Sequence, residues 1–213
     1  MKHGMKLAMA VLLSGWLGLA AAPRAEAVEP GPPHPTADIS ITVTIQRLSV
    51  LVAGTPVAFG IITPGSEPVS TPKVVVTNDG NVTETYGLKL AYAGPLMIGT
   101  VETPPWTPAQ STDKFVLQAL FTGDDDPTSP AAGDFGADPV PANDDVVTTV
   151  DHLASVTDFG FAPPGSTATG AGVPVAGLRD LYFKYSAPSP DTVTGGAAQS
   201  ITVTISANPA GGP

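Results

Sequence analysis

Strict alternation of apolar and polar positions marks the chain at both ends: the pentapeptide Ile-Thr-Val-Thr-Ile occupies residues 41–45 and again residues 201–205. A two-residue period in β-branched residues places isoleucine and valine on one face and threonine on the other, so each copy reads as a half-buried strand. Strand-like segments, two of them containing these copies, fall at 38–52, 55–62, 73–78, 83–93, 114–122, 146–150, 178–186 and 200–207. No segment has a helical period. Twenty-four prolines and 23 glycines punctuate these short runs with turns. Short strands without intervening helices predict an all-β fold, an antiparallel immunoglobulin-like or jelly-roll β-sandwich.

The faces follow from parity. Tyr86, Leu88, Leu90 and Tyr92 share one side, opposite Thr85 and Lys89; Leu181, Phe183 and Tyr185 oppose Asp180 and Lys184. Both segments read as one-sided strands. Residues 114–122 are apolar on both faces, with Phe115, Leu117 and Phe121 on one and Val116 and Leu120 on the other, so this strand is either central or at an interface. Parity slips between Ile45 and Leu48, which predicts a bulge or a crossing between sheets. Asn78-Asp79-Gly80-Asn81 reads as a hairpin turn, and the sequon Asn81-Val82-Thr83 overlaps it.

The first residues form a targeting signal, with Lys2 and Lys6 ahead of an apolar stretch at 7–22 and a small-residue cleavage site at Ala25-Glu26-Ala27. Residues 1–27 are therefore read as a signal peptide, 28–38 as a proline-rich arm carrying Pro30, Pro32, Pro33 and Pro35, 39–208 as one domain and 209–213 as a tail. The product is expected to be secreted, extracellular or at the cell surface, with the periplasm also open, and to have no membrane span. Cleavage removes three of the 9 basic and one of the 19 acidic residues, leaving 6 and 18 and a formal charge of −12. Such a chain repels phosphate backbones, so nucleic acid is excluded as a partner. The absence of cysteine removes disulfides, thiolate ligands and thiol nucleophiles.

Phe59-Gly60, Pro64-Gly65 and Val74-Val75-Val76-Thr77-Asn78-Asp79-Gly80-Asn81 follow one another in an order similar to immunoglobulin-like β-sandwich domains of bacterial exported and surface proteins. More narrowly, the stretch from Pro64-Gly65 to Gly80 resembles the camelysin/TasA family of secreted biofilm-fibre proteins. That resemblance covers residues 55–93 and implies jelly-roll subunits that assemble by strand exchange between neighbours.

Candidate chemistry concentrates in one acidic loop, where Asp124, Asp125, Asp126, Asp134, Asp138, Asp144 and Asp145 occur without a lysine or arginine. It is either a solvated excursion or a calcium site, since calcium takes about six to eight oxygen ligands. Asp124, Asp125, Asp126, Asp144 and Asp145 are the candidate ligands, with Asn143 as an addition; the spacing does not fit an EF-hand. No differing pair of carboxylates stands out for glycoside hydrolysis. His34 and His152 lack a placed serine, Pro164-Gly165-Ser166-Thr167 reads as a turn, and no phosphate or dinucleotide motif occurs, so no enzyme is expected. Trp106 reads either as a core cap or as a sugar-stacking platform.

The reading that gathers these features is a secreted, non-catalytic structural protein acting by self-association or adhesion, a filament subunit in an extracellular matrix whose partner is itself or a surface polymer. Ile41, Val43 and Ile45 are its candidate assembly residues, inserting into a neighbour's sheet; otherwise they pair within their own domain, beside 201–205. The alternative function is a calcium-dependent carbohydrate-binding or adhesion module.

Overall fold

The computed structural model describes residues 42–43, 45–54, 56–99, 110–124, 129–136, 145–155, 157–160, 169–193 and 198–211. Contacts divide the chain into Met1–Val43 and Thr44–Pro213, and all the strands lie in the second unit. The segments read as signal peptide and proline arm, the end of the tail, Trp106 and the turn at 164–167 lie outside the described residues.

Among the described residues the fold is all-β, with one short 3-10 turn at Ala132–Asp134. In chain order the strands are β1 (Val50–Ala53), β2 (Val74–Asn78), β3 (Glu84–Ala93), β4 (Met97–Ile98), β5 (Lys114–Gly123), β6 (His152–Leu153), β7 (Leu178–Ser186) and β8 (Ser200–Pro209). They form a five-stranded sheet in the order β1-β2-β7-β5-β4 and a three-stranded sheet in the order β6-β3-β8. Pairing is antiparallel except between β4 and β5. No helix is long and apolar enough to cross a membrane.

Alternation in β3 has the consequence that its pattern predicts: Tyr86, Leu88 and Leu90 are buried while Lys89 is exposed. Opposite them β8 brings the second pentapeptide, with Leu88 facing Ile205, Leu90 facing Val203 and Tyr92 facing Ile201. These apolar pairs join Val76, Phe115, Phe121, Leu181 and Tyr185 in one cluster fed by both sheets. Phe115 stacks on Tyr185 at 5.5 Å between ring centroids and meets Tyr92 edge-on at 5.5 Å, geometries that aromatic quadrupoles favour. Each such side chain contributes about 1.5–3 kcal/mol through burial.

Several local expectations are corrected. Asn78 to Asn81 is not a hairpin turn, because β2 belongs to the larger sheet and β3 to the smaller; the turn carries the chain across. Asn78 Oδ1 accepts from the Gly80 N–H at 2.9 Å, and a Cβ at Gly80 would lie 2.5 Å from the Arg47 carbonyl oxygen, so the position has no room for a side chain. Residues 55–62 keep an alternating burial, with Val57, Phe59 and Ile62 against the core, yet their described residues form no ladder. Pro56 has no N–H to offer and Gly60 turns the backbone to φ +71°. Within 146–150 only Val146 makes a bridge, to Gln118. Here Val147 N donates to Leu117 O and Thr148 O accepts from Leu90 N, so the segment links β5 to β3 rather than extending either sheet.

The apolar double face of β5 does mark an inner position, between β7 and β4. β7, expected to be one-sided, is buried on both faces from Asp180 to Ser186. Its second face is covered because Tyr182 packs with Leu120 and Phe135. Asp180 is held there by Lys73, whose Nζ donates to Oδ2 at 2.6 Å.

His152 lies in β6 as a strand residue, edge-on to Phe159 at 5.2 Å. Burial pushes its pKa below the ordinary histidine value, against the opposing carboxylates of Asp158 and Asp151. A depressed folded pKa means that the unfolded chain binds the proton first, so stability present above about pH 6.5 declines as pH falls towards the folded value. Thermal unfolding between about pH 7 and pH 5 is expected to show this decline, and His152→Phe is expected to flatten that part of the profile.

Candidate assembly edge

β8 is ten residues long and pairs only with β3 among the described residues. Which of its backbone groups face outward follows from register. Ala210 N donates to Thr83 O, and Thr85 stands opposite Asn208, so even-numbered residues of β8 bond to β3. The intervening residues Ile201, Val203, Ile205 and Ala207 direct their N–H and C=O away from it. Consistently, the even-numbered residues of β3 bond on the other flank, Tyr86 N to Gly170 O and Leu90 N to Thr148 O. A long row of outward ladder groups is a template for another strand. Pro209 ends the row, lacking an N–H.

The side chains beside these groups are incompletely covered. Ile201, Val203 and Ile205 pack against the core but remain half-buried, while Thr202 and Thr204 are exposed. β1, the edge of the larger sheet, lies next to β8.

Leading into β1, residues 45–49 are fastened to the crossing turn. Asn81 Nδ2 donates to Ile45 O at 2.9 Å, Arg47 N donates to Asn81 Oδ1 at 2.7 Å, and Asn81 N donates to Arg47 O at 3.0 Å. Ser49 N donates to the buried Glu84 carboxylate at 2.7 Å. Asn81 is thus a two-sided clip, and its amide nitrogen is engaged where the sequon would place a glycan.

The first pentapeptide is not the half-buried strand its alternation suggests. Val43 and Ile45 are 76% and 79% exposed, and neither belongs to a strand; Ile41 lies outside the described residues. Their apolar side chains have the spacing for a sheet face and are exposed. The pentapeptide is also palindromic, so it matches its second copy in β8 in either chain direction, isoleucine to isoleucine and threonine to threonine.

The acidic loop is only partly described. Asp125, Asp126 and Asp144 lie outside the described residues, and Asp124 follows the end of β5. Asp145 is 4% exposed and is a backbone clamp. Oδ2 accepts from Gly136 N at 2.8 Å and Oδ1 from Phe159 N at 2.9 Å. Asp134 folds back onto Ala131 N at 2.6 Å. Among the described residues no three acidic or histidine side chains gather as a cation site.

Sequence patterning missed both the open edge and the clamp. The edge depends on which strands pair; the clamp depends on loops 14 residues apart meeting in space. No family model matches this chain, and no curated protein matches it significantly.

Proposed function

We propose that this chain is a secreted structural subunit, an immunoglobulin-like or jelly-roll β-sandwich that self-associates at the cell surface or in an extracellular matrix. Residues 41–45 of one copy pair with the outer edge of β8 in the next. The observation that carries this reading is complementarity: a ten-residue edge strand with one partner among the described residues, and a second copy of its pentapeptide whose Val43 and Ile45 are exposed. Pairing saturates the outward backbone groups and covers the half-buried Ile201, Val203 and Ile205 with the apolar side chains of the incoming strand. Head-to-tail addition of this kind does not close on itself unless the rotation completes a ring, so it gives filaments.

Deleting residues 28–43 tests the reading, because it spares the clip at 45–49. The expected result is a monomer of unchanged thermal stability that forms no filaments under electron microscopy, whereas the chain from residue 28 does. Filaments that persist after the deletion would sink the proposal, as would an intact chain that stays monomeric at every concentration.

A further inference from the structure

Edge pairing makes no use of a polar cleft on the outer face of the five-stranded sheet. Residues 66–70 run beside β7, with Tyr185 N donating to Pro68 O and Ala187 N to Ser66 O. Across from them, Phe135 packs on Leu120 and Tyr182. The space between is about 330 Å³, at the small end of the range of roughly 300–1,000 Å³ for ligand clefts.

Three of its lining side chains are polar and almost fully buried: Lys184 at 6%, Gln118 at 4% and Ser186 at 4% exposure. Burial of such groups is costly unless they are hydrogen-bonded. Lys184 Nζ donates to Ala132 O at 3.1 Å and lies 5.7 Å from the Phe135 ring centroid. It stands 3.7 Å from the Glu67 carboxylate, too far for a direct hydrogen bond. Ser186 Oγ donates to the other Glu67 oxygen at 3.3 Å. Gln118 occupies its place because residue 136 is glycine: at φ +62°, a Cβ there would come within 2.6 Å of Gln118 Nε2. Gly136 is itself anchored by Asp145, so the clamp and the cleft share a wall.

These groups restrict what fits. Lys184 and Glu67 neutralise one another, so an isolated anion or cation gains little, and the acidic surface of the chain disfavours anions further. Ammonium, amide and hydroxyl donors alternate with carboxylate, amide and hydroxyl acceptors, and Val116 and Phe135 supply apolar lining. Hydroxyl groups both donate and accept, so a ring bearing several of them satisfies such an array. We propose that this cleft binds a neutral saccharide unit, its hydroxyls held by Gln118, Lys184, Glu67 and Ser186. The proposal is independent of assembly through β8.

Saturation-transfer difference NMR on the whole chain from residue 28 tests it, and works for monomer and polymer alike. Glucose, galactose, mannose and N-acetylglucosamine serve as probes, with acetate and glycine as anionic and zwitterionic controls. The expected result is transfer to at least one neutral sugar with a millimolar Kd, weakened about tenfold or more by Gln118→Leu and about threefold by Ser186→Ala, with thermal midpoints unchanged in Ser186→Ala. Ser186→Ala gives the reading should Gln118→Leu fail to fold. Absence of transfer to every sugar, equal transfer in wild type and both variants, or displacement of the sugar by acetate or glycine would each overturn the proposal.

Discussion

Asp145→Ala is expected to destabilise the fold by about 3–6 kcal/mol, because it removes a charged acceptor from two backbone donors at once. Gly136 N and Phe159 N both point at this carboxylate, and Phe159 is fully buried, so water cannot substitute at that end. For a domain of this size the thermal midpoint falls by on the order of 10 °C. Asp145→Asn recovers only part of the loss, since its amide nitrogen faces one of the two N–H groups as a second donor. Scanning calorimetry of wild type and both variants, with and without chelator, checks this. A chelator that destabilises wild type as much as the alanine variant does would assign the carboxylate to a cation instead.

The second large effect is on assembly. Val43→Asp with Ile45→Asp is expected to abolish filaments while changing monomer stability by less than about 0.5 kcal/mol, the usual reach of substitutions at exposed positions. Both side chains are free of the core, so the folded monomer loses little packing. In a paired strand the same two positions face the neighbour's apolar row, where a carboxylate would be desolvated without a partner. Sedimentation velocity separates the outcomes: loss of large species at an unchanged unfolding midpoint supports edge pairing, and loss of the monomer fold contradicts it.

Where the alternation faced one uniform environment, it was a sufficient guide. Tyr86, Leu88 and Leu90 on β3, and Ile201, Val203 and Ile205 on β8, lie as their parity requires, because both strands turn one face to a single core. β5 was legible as an inner strand for the same reason. β7 was not, since Asp180 and Lys184 look solvated in sequence; their burial depends on Lys73, Glu67 and the loop bearing Phe135, all distant in the chain. Asn78-Asp79-Gly80-Asn81 has hairpin chemistry, yet which sheet each flanking strand joins is a matter of tertiary pairing. The pentapeptide at 41–45 carries a strong strand pattern, yet the side chains of Val43 and Ile45 stay exposed and the Ile45 carbonyl is held by Asn81.

Of the candidate residues, Val43 and Ile45 carry a strand pattern that the structure leaves outside any strand, and the outward groups of β8 became visible only from register. Asp145 was singled out for its charge, and the structure places its carboxylate on two backbone N–H groups. Gln118, which breaks an apolar row of β5, and Lys184, read on the polar face of β7, gave no further sequence signal.

Amide hydrogen exchange on β8 tests most directly whether its outer edge accepts another copy. In dilute monomer the N–H groups of Ile201, Val203, Ile205 and Ala207 are expected to exchange quickly while those of Thr202, Thr204 and Ser206 are protected by β3. In concentrated, assembled protein the first set becomes protected too, and reverts with Val43→Asp and Ile45→Asp. Protection of that outward set that is the same at every concentration, or no protection in the assembled material, would contradict the account.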